Sequence, residues 1–197
     1  MLTFGLVNGL GFIREFARAP MRTGAFAASS HRLTGVMLDH AVLESASVVL
    51  ELGPGNGSTT EQILKRVHPN TCFMAVEINP AFASATRRRC PQVTVHLDDA
   101  LNARTHLEAA GETHCDVIFS GLPWASLGRA RQDALLVVIR DLLRPGGRFI
   151  TFAYLQGLLL PPAQRFQKKL RQNFTRVWTT PVVWRNLPPA FAYVAER

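Results

Sequence analysis

Four carboxylates stand at or just beyond the ends of short apolar runs: Glu51, Glu77, Asp98 and Asp99. The runs are Val48-Val49-Leu50-Glu51-Leu52, Thr71–Glu77 and Val93-Thr94-Val95-His96-Leu97. β-Branched and apolar stretches of this length predict buried strands of a parallel sheet. An acid at such a strand end can accept hydroxyl or amino protons from a ligand lying across the sheet. Beside Glu51 the chain reads Gly53-Pro54-Gly55-Asn56-Gly57, then a helical pattern from Ser58 to Val67 with Ile63, Leu64 and Val67 on one face. Glycine lets the backbone turn sharply and approach a ligand that a Cβ would hold off. The spacing is G-x-G-x-G, not the dinucleotide G-x-G-x-x-G, and the Gly-Lys-Ser/Thr of a phosphate-binding loop is missing. Glu77 lies 20 residues after Gly57, where a carboxylate can take both hydroxyls of a ribose.

A second group follows the strand expected at Cys115–Ser120: Ser120-Gly121-Leu122-Pro123-Trp124. Trp124 can wall a pocket or face a cation with its π surface, or it can be a core tryptophan. Tyr154 and Gln156 come just past a fifth strand, where a site would open. The 6 histidines and the scattered Cys72, Cys90 and Cys115 have no ligand spacing, so no metal is expected. Unpaired, scattered cysteines predict a reduced, cytoplasmic protein.

These groups need elements to hold them. A chain of 197 residues with 47% hydrophobic residues predicts one domain with a full core. Net charge of +8 and a pI near 10.4 favour an anionic partner, nucleic acid or an acidic membrane surface. Residues 1–20 carry Leu2, Phe4, Leu6, Val7, Leu10, Phe12, Ile13 and Phe16, with no charge before Arg14. The run is too short to span a bilayer and lacks the basic start of a signal peptide. It fits a helix in the membrane interface with Arg14, Arg18 and Arg22 at the headgroups, or a helix covering its own domain. Pro20–Ser30 reads as a small-residue connector whose serines cap a helix from His31 to about Leu43. Asn79-Pro80 start another helix, which carries Arg87-Arg88-Arg89. Arg129–Leu143 is amphipathic, and Leu143-Arg144-Pro145-Gly146-Gly147 turns it into the fifth strand. Leu158-Leu159-Leu160-Pro161-Pro162 is an apolar loop followed by Arg165, Lys168, Lys169 and Arg171. That pairing suits an anionic membrane surface, or a domain loop and the polar face of a helix. Two final strands are expected over Phe174–Trp184 and Phe191–Glu196.

Glu-Leu-Gly-Pro-Gly-Asn-Gly at 51–57 resembles motif I of the class I S-adenosylmethionine-dependent methyltransferases. A narrower resemblance, to bacterial phospholipid N-methyltransferases, covers nearly the whole chain. It rests on Thr23-Gly24-Ala25 with Ser29-Ser30, on motif I, on Ser120-Gly121-Leu122-Pro123 and on Arg185-Asn186-Leu187-Pro188-Pro189-Ala190. The resemblance implies an α/β Rossmann-like fold: a seven-stranded, mostly parallel sheet with one antiparallel strand, helices on both faces, and an N-terminal amphipathic helix. Residues 1–22 would be that helix and 23–197 the methyltransferase domain.

S-Adenosylmethionine is the implied cofactor, held by Thr23, Gly24, Ser29, Glu51, Gly53, Pro54, Gly55, Gly57, Glu77, Ile78, Asp99, Ala100 and Ser120. Asp99 is the better match for the adenine-binding acid, with Asp98 as the alternative register. Ser120, Gly121, Leu122 and Tyr154 would serve catalysis, and Trp124, Tyr154 and Arg185 the substrate, with Arg185 on a lipid phosphate. The implied substrate is phosphatidylethanolamine and its methylated forms, on the way to phosphatidylcholine, at the inner face of the cell membrane. A monomer without metal is expected. Amino-methylating enzymes of nucleic acid often carry Asn or Asp where this chain has Gly121, which argues against a base amine. An RNA adenine dimethyltransferase, a small-amine methyltransferase and a non-enzymatic binding module remain the alternatives.

Overall fold

The computed structural model describes residues 24–197, with side chains from His31 onward. The N-terminal amphipathic helix expected over 1–22 lies outside the described residues, as does Thr23, and of Gly24 and Ser29 the backbone alone is described.

Seven strands are named in chain order: β1 Val48–Leu52, β2 Cys72–Glu77, β3 Thr94–Leu97, β4 Cys115–Ser120, β5 Leu143–Tyr154, β6 Arg176–Thr179 and β7 Ala190–Glu196. They form one sheet in the order β3-β2-β1-β4-β5-β7-β6. Every pair is parallel except those of β7, which runs antiparallel to both β5 and β6. The expected mostly parallel sheet with one reversed strand is therefore present.

Among the described residues six α-helices cover it: α1 Gly24–Asp39, α2 Ser58–Leu64, α3 Pro80–Arg89, α4 Ala103–Ala109, α5 Arg129–Leu142 and α6 Pro161–Asn173. One face packs Val49, Phe73, Val95, Phe119 and Val194 against Leu33, Met37, Ile63 and Ala83 of α1, α2 and α3. The other packs Leu50, Met74, Ile118 and Phe149 against Leu107, Leu136, Phe166 and Leu170 of α4, α5 and α6. β1 is buried along its whole length because both of its faces are covered, which is why its sequence shows no alternation. Each such buried Val or Leu stabilises the fold by roughly 1.5–3 kcal/mol.

Helix α1 differs from the expectation. Its described part runs from Gly24, so residues 24–30 of the stretch expected to be a connector are helical backbone, and Ser29 and Ser30 lie within the helix rather than capping it. The helix also stops earlier, at Asp39, because Val42 takes a left-handed φ of 52° before the short turn Leu43–Ser45. The Pro-Gly-Gly turn behaves as expected. Leu143 pairs with Cys115, the chain loops out through Gly146 at φ 75°, and pairing resumes at Arg148 opposite Val117.

β1 is flanked by β2 on one side and β4 on the other, so the connections diverge from it in opposite directions. In an open α/β sheet the crevice beyond the carboxyl ends of two such strands is where ligands bind. The loops after β1 and β4 meet at that point.

Candidate active site

Three glycines shape the loop after β1. Gly53, Gly55 and Gly57 have φ of 73°, 60° and 80°, values that strain any other residue. The Gly53 amide donates to the Val76 carbonyl at 2.9 Å, and Thr86 of α3 donates its hydroxyl to the Gly55 carbonyl at 2.7 Å. A Cβ at Gly57 would lie 3.2 Å from Thr86 Cα, so α3 closes the turn from behind. A Cβ at Gly55 would meet nothing within 4 Å, so open space lies on that side of the turn. Pro54 is buried and stiffens it.

Two carboxylates flank this space. Glu77 closes β2, is 6% exposed, and accepts from the Gly55 amide at 3.1 Å and the Asn79 amide at 2.9 Å. It thereby ties the glycine turn to the start of α3, where Asn79 caps Ala81 and Phe82. Ile78 beside it is an exposed apolar residue at a strand end, suited to being covered by a flat ligand ring.

Glu51 is 2% exposed and accepts from the Thr60 hydroxyl at 2.6 Å. Burial pushes its pKa from the usual 4.5 to about 7, the Thr60 hydrogen bond works against this, and the Glu77 charge adds to it. Two buried acids so close are suited to a cationic ligand group. The unfolded chain loses this proton near pH 4.5 and the folded chain near 7, so between them the folded state binds more protons. Ligand-free stability should therefore fall as pH rises through that window, by up to roughly 3 kcal/mol from this group alone. Glu51→Gln should flatten the Tm–pH curve there. An unchanged slope would place the proton elsewhere.

The acids after β3 have separate jobs. Asp98 accepts from the Asp99 amide at 2.7 Å, Asn102 Nδ2 at 2.9 Å and pairs with His106 Nε2 at 2.8 Å. The Asn102, Asp99 and His106 contacts hold its carboxyl below the usual range. Asp99 caps the short turn Ala100–Asn102 through the Leu101 amide at 3.0 Å, and Arg131 of α5 donates to both of its oxygens at 2.7 Å. Asp98 is thus committed to its own loop. Asp99, next to the buried Ala100, is held by an arginine side chain that is 40% exposed and able to yield.

The loop after β4 rests on the glycine turn. The Gly121 amide donates to the Leu52 carbonyl at 2.9 Å, and an added Cβ at Gly121 would sit 2.4 Å from the Gly53 carbonyl oxygen. That contact is the physical reason for glycine where related motifs carry asparagine. Ser120 is buried; its hydroxyl accepts from the Leu122 amide at 3.2 Å and Trp124 Nε1 at 3.1 Å, and its carbonyl accepts from Thr151 Oγ1 at 2.9 Å. The Leu122 carbonyl takes the Trp124 amide at 2.9 Å. The bonds just given occupy the Ser120 and Leu122 carbonyls, and none of them uses the Gly121 carbonyl.

Trp124 corrects the expectation that it walls the substrate pocket. It is 4% exposed, stacked on Phe166 at 4.7 Å and edge-on to Phe149 at 5.8 Å. A large aromatic with its N–H already paired to Ser120 belongs to the core, and it positions the loop from below.

Tyr154 ends β5 on the opposite face of the sheet from Ser120, half-buried and edge-on to Phe152 at 5.8 Å. Burial raises its phenol pKa, so it stays protonated at neutral pH and offers a neutral oxygen rather than a base. It pairs with Ala190, and the next residue, Leu155, donates its amide to the Pro189 carbonyl at 2.9 Å. Those bonds bring the turn containing Arg185 to the same end of the sheet. Arg185 is exposed there, and buried Asn186 secures the turn through the Pro188 carbonyl at 2.5 Å.

Thr60, Thr86, Arg131 and Thr151 went unmarked in the sequence. Thr60 alone left a trace, as a hydroxyl in the first turn of the helix after the glycines. Among the described residues no group of three or more His, Cys, Asp or Glu side chains could hold a metal ion.

A family model described as "Methyltransferase domain" matches residues 49–147, from β1 through the Pro-Gly-Gly turn. An ornithine lipid N-methyltransferase from Singulisphaera acidiphila is 31% identical over 185 residues, spanning 92% of each chain. Among solved structures, an O-methyltransferase from Bacillus cereus in complex with SAH superposes with a TM-score of 0.68 at 16% identity, covering 100% of this chain and 94% of that one. The N-methyltransferase NodS from Bradyrhizobium japonicum WM9 gives 0.70 at 12% identity, covering 86% and 97%. At these identities the two structures speak to the fold alone.

Proposed function

Because the chain belongs to the methyltransferase-domain family, we propose that it transfers methyl groups from S-adenosylmethionine to the amine of a membrane lipid, phosphatidylethanolamine and its methylated forms, towards phosphatidylcholine. The observation that carries the reading is the junction of the two loops at the switch point. There open space lies over Gly55, the buried acid Glu77 holds the Gly55 amide, buried Glu51 stands within electrostatic reach of Glu77, and Gly121 abuts the Gly53 carbonyl. Support for a lipid amine comes from the 31% identical relative named as a lipid N-methyltransferase.

The cofactor fits the residues present. Glu51 would answer its ammonium group, the glycine turn would lie along its methionine part, Glu77 would take the ribose hydroxyls, and Asp99 with Ala100 the adenine. When bound it supplies an electrophilic methyl on a positively charged sulfur. A protonated amine has no lone pair, so the substrate must arrive neutral. Among the described residues no side chain is placed as a strong base: Tyr154 keeps its proton and Glu51 is buried against Thr60. The Gly121 carbonyl can accept one N–H and so aim the lone pair, and exclusion of water favours the uncharged amine. Arg185 would fork onto the lipid phosphate.

The site would work at the cytoplasmic face of the cell membrane, with the domain 23–197 acting as a monomer and residues 1–22 as an interfacial helix. The test is methyl transfer from labelled S-adenosylmethionine to vesicles of phosphatidylethanolamine, with an ornithine lipid and a bare RNA in parallel. Labelled mono- or dimethyl phosphatidylethanolamine is the expected product. Label in the ornithine lipid alone would change the headgroup, and label in RNA alone would sink the lipid reading.

A further inference from the structure

Two loops leave the sheet at the end where the crevice opens. One is the turn Leu155–Leu159 with Leu160, after β5; the other joins β6 to β7. The Leu155 amide to Pro189 carbonyl bond ties them together. Loop tips in contact with water are normally polar, yet here Leu159 is 84% exposed, Leu160 56% and Trp184 69%. Single exposed apolar residues need no explanation, but three large ones on adjoining loops beside a binding crevice mark a surface that is covered in use. Leu158 packs on the core and anchors its loop, so its two neighbours are held outward.

The charge around them selects the occupant. Helix α6 starts immediately after Leu160, and Arg165 and Lys168 on it are exposed. Lys169 is a different case: it donates to the Arg129 carbonyl at 3.0 Å and pairs with Asp133 at 2.7 Å, so it fastens α6 to α5. With a net charge of +8, an apolar tip followed by a helix with exposed cations is complementary to an anionic lipid surface, and tryptophan is a residue of the membrane–water boundary.

We propose that Leu159, Leu160 and Trp184 dip into an anionic bilayer while Arg165 and Lys168 meet its headgroups. The strand ends then face the membrane, and a lipid amine reaches the Gly121 carbonyl without its acyl chains leaving the bilayer. The proposal rests on the lipid reading of the crevice for its purpose, but its test does not depend on turnover.

The experiment uses the full chain and a triple variant, Leu159→Asp, Leu160→Asp and Trp184→Asp, all at exposed positions, with its Tm measured to show that the fold is kept. Flotation with vesicles of phosphatidylethanolamine and phosphatidylglycerol should show binding weakened by roughly tenfold or more. Wild-type binding should also fall on neutral phosphatidylcholine vesicles and at high salt. Methylation of vesicle lipid should drop in proportion. Methylation of a short-chain, monodisperse phosphatidylethanolamine and affinity for S-adenosylmethionine should stay at wild-type values. Unchanged flotation of the triple variant overturns the proposal, and would be the outcome if residues 1–22 cover this patch. If the wild type floats and the variant does not, yet neither methylates any lipid, the docking surface stands and the lipid-substrate reading falls.

Discussion

A methyl group placed on Gly121 is expected to remove cofactor binding and methyl transfer together. The alanine Cβ would lie 2.4 Å from the Gly53 carbonyl oxygen and 3.6 Å from its carbon. Both are backbone atoms, so no rotamer change relieves the clash. Gly53 cannot retreat freely either, since its φ is 73° and its amide is bonded to Val76. One loop must move away from the other, and they are the two walls of the crevice. Overpacking of this kind costs about 1–3 kcal/mol or more in stability. A misplacement of about 1 Å between reacting groups costs on the order of 100-fold in rate. We therefore expect Gly121→Ala to fold with a lowered Tm and to lose at least about 100-fold in kcat/KM. Gly121→Asn, which makes the motif look more like that of base-methylating enzymes, should be worse. Measured kcat/KM within a few-fold of wild type for either variant would show that the two loops need not touch.

Glu77→Ala should have an effect of similar size by another route. The carboxylate holds the amides of Gly55 and Asn79 at 3.1 and 2.9 Å, one in the glycine turn and one at the cap of α3. Hydrogen bonds to a charged group contribute about 1.5–3 kcal/mol each, and removing the acceptor leaves two donors unsatisfied. Two oxygens have about four lone-pair sites, so the same carboxylate can keep these amides and still receive a ligand's hydroxyls. The substitution removes both services. We expect calorimetry to give a dissociation constant for S-adenosylhomocysteine raised by about 100-fold or more, together with a lower Tm. Glu77→Gln keeps one oxygen and should fall between. A lower Tm with unchanged affinity in the folded fraction would reduce Glu77 to a purely structural brace.

Why the glycine turn and strand-end acids were readable in advance is a matter of burial. Strands covered on both faces appear as unbroken apolar runs, and an acid interrupting one, as Glu51 does, has to be explained by something it binds. The N-terminal part of α1 is not legible in the sequence because Pro20, Gly24, Ser29 and Ser30 are all residues of turns and caps, while the helix that contains three of them is set by packing on the sheet. Trp124 could not be placed from its neighbours in sequence. Its surroundings, Phe149 and Phe166, come from β5 and α6. Arg131 lies 32 residues from Asp99, and Thr151 31 from Ser120, so their hydrogen bonds exist only once the sheet has formed.

The strand order has a bearing on how the protein is made. β6 sits at the sheet edge and pairs with β7, yet β7 follows it in the chain and must slide between β5 and β6. A nascent chain that has emerged as far as Thr179 therefore carries a strand with nothing to pair with and a β5 whose outer edge is bare. Until β7 arrives, those open edges and the apolar side chains beside them are exposed to other chains in the cell. Pauses in translation between 180 and 190 would lengthen that interval, and chaperone dependence should concentrate there. Pairings this distant in sequence also form slowly, so completion of the sheet is the step at which folding and aggregation compete.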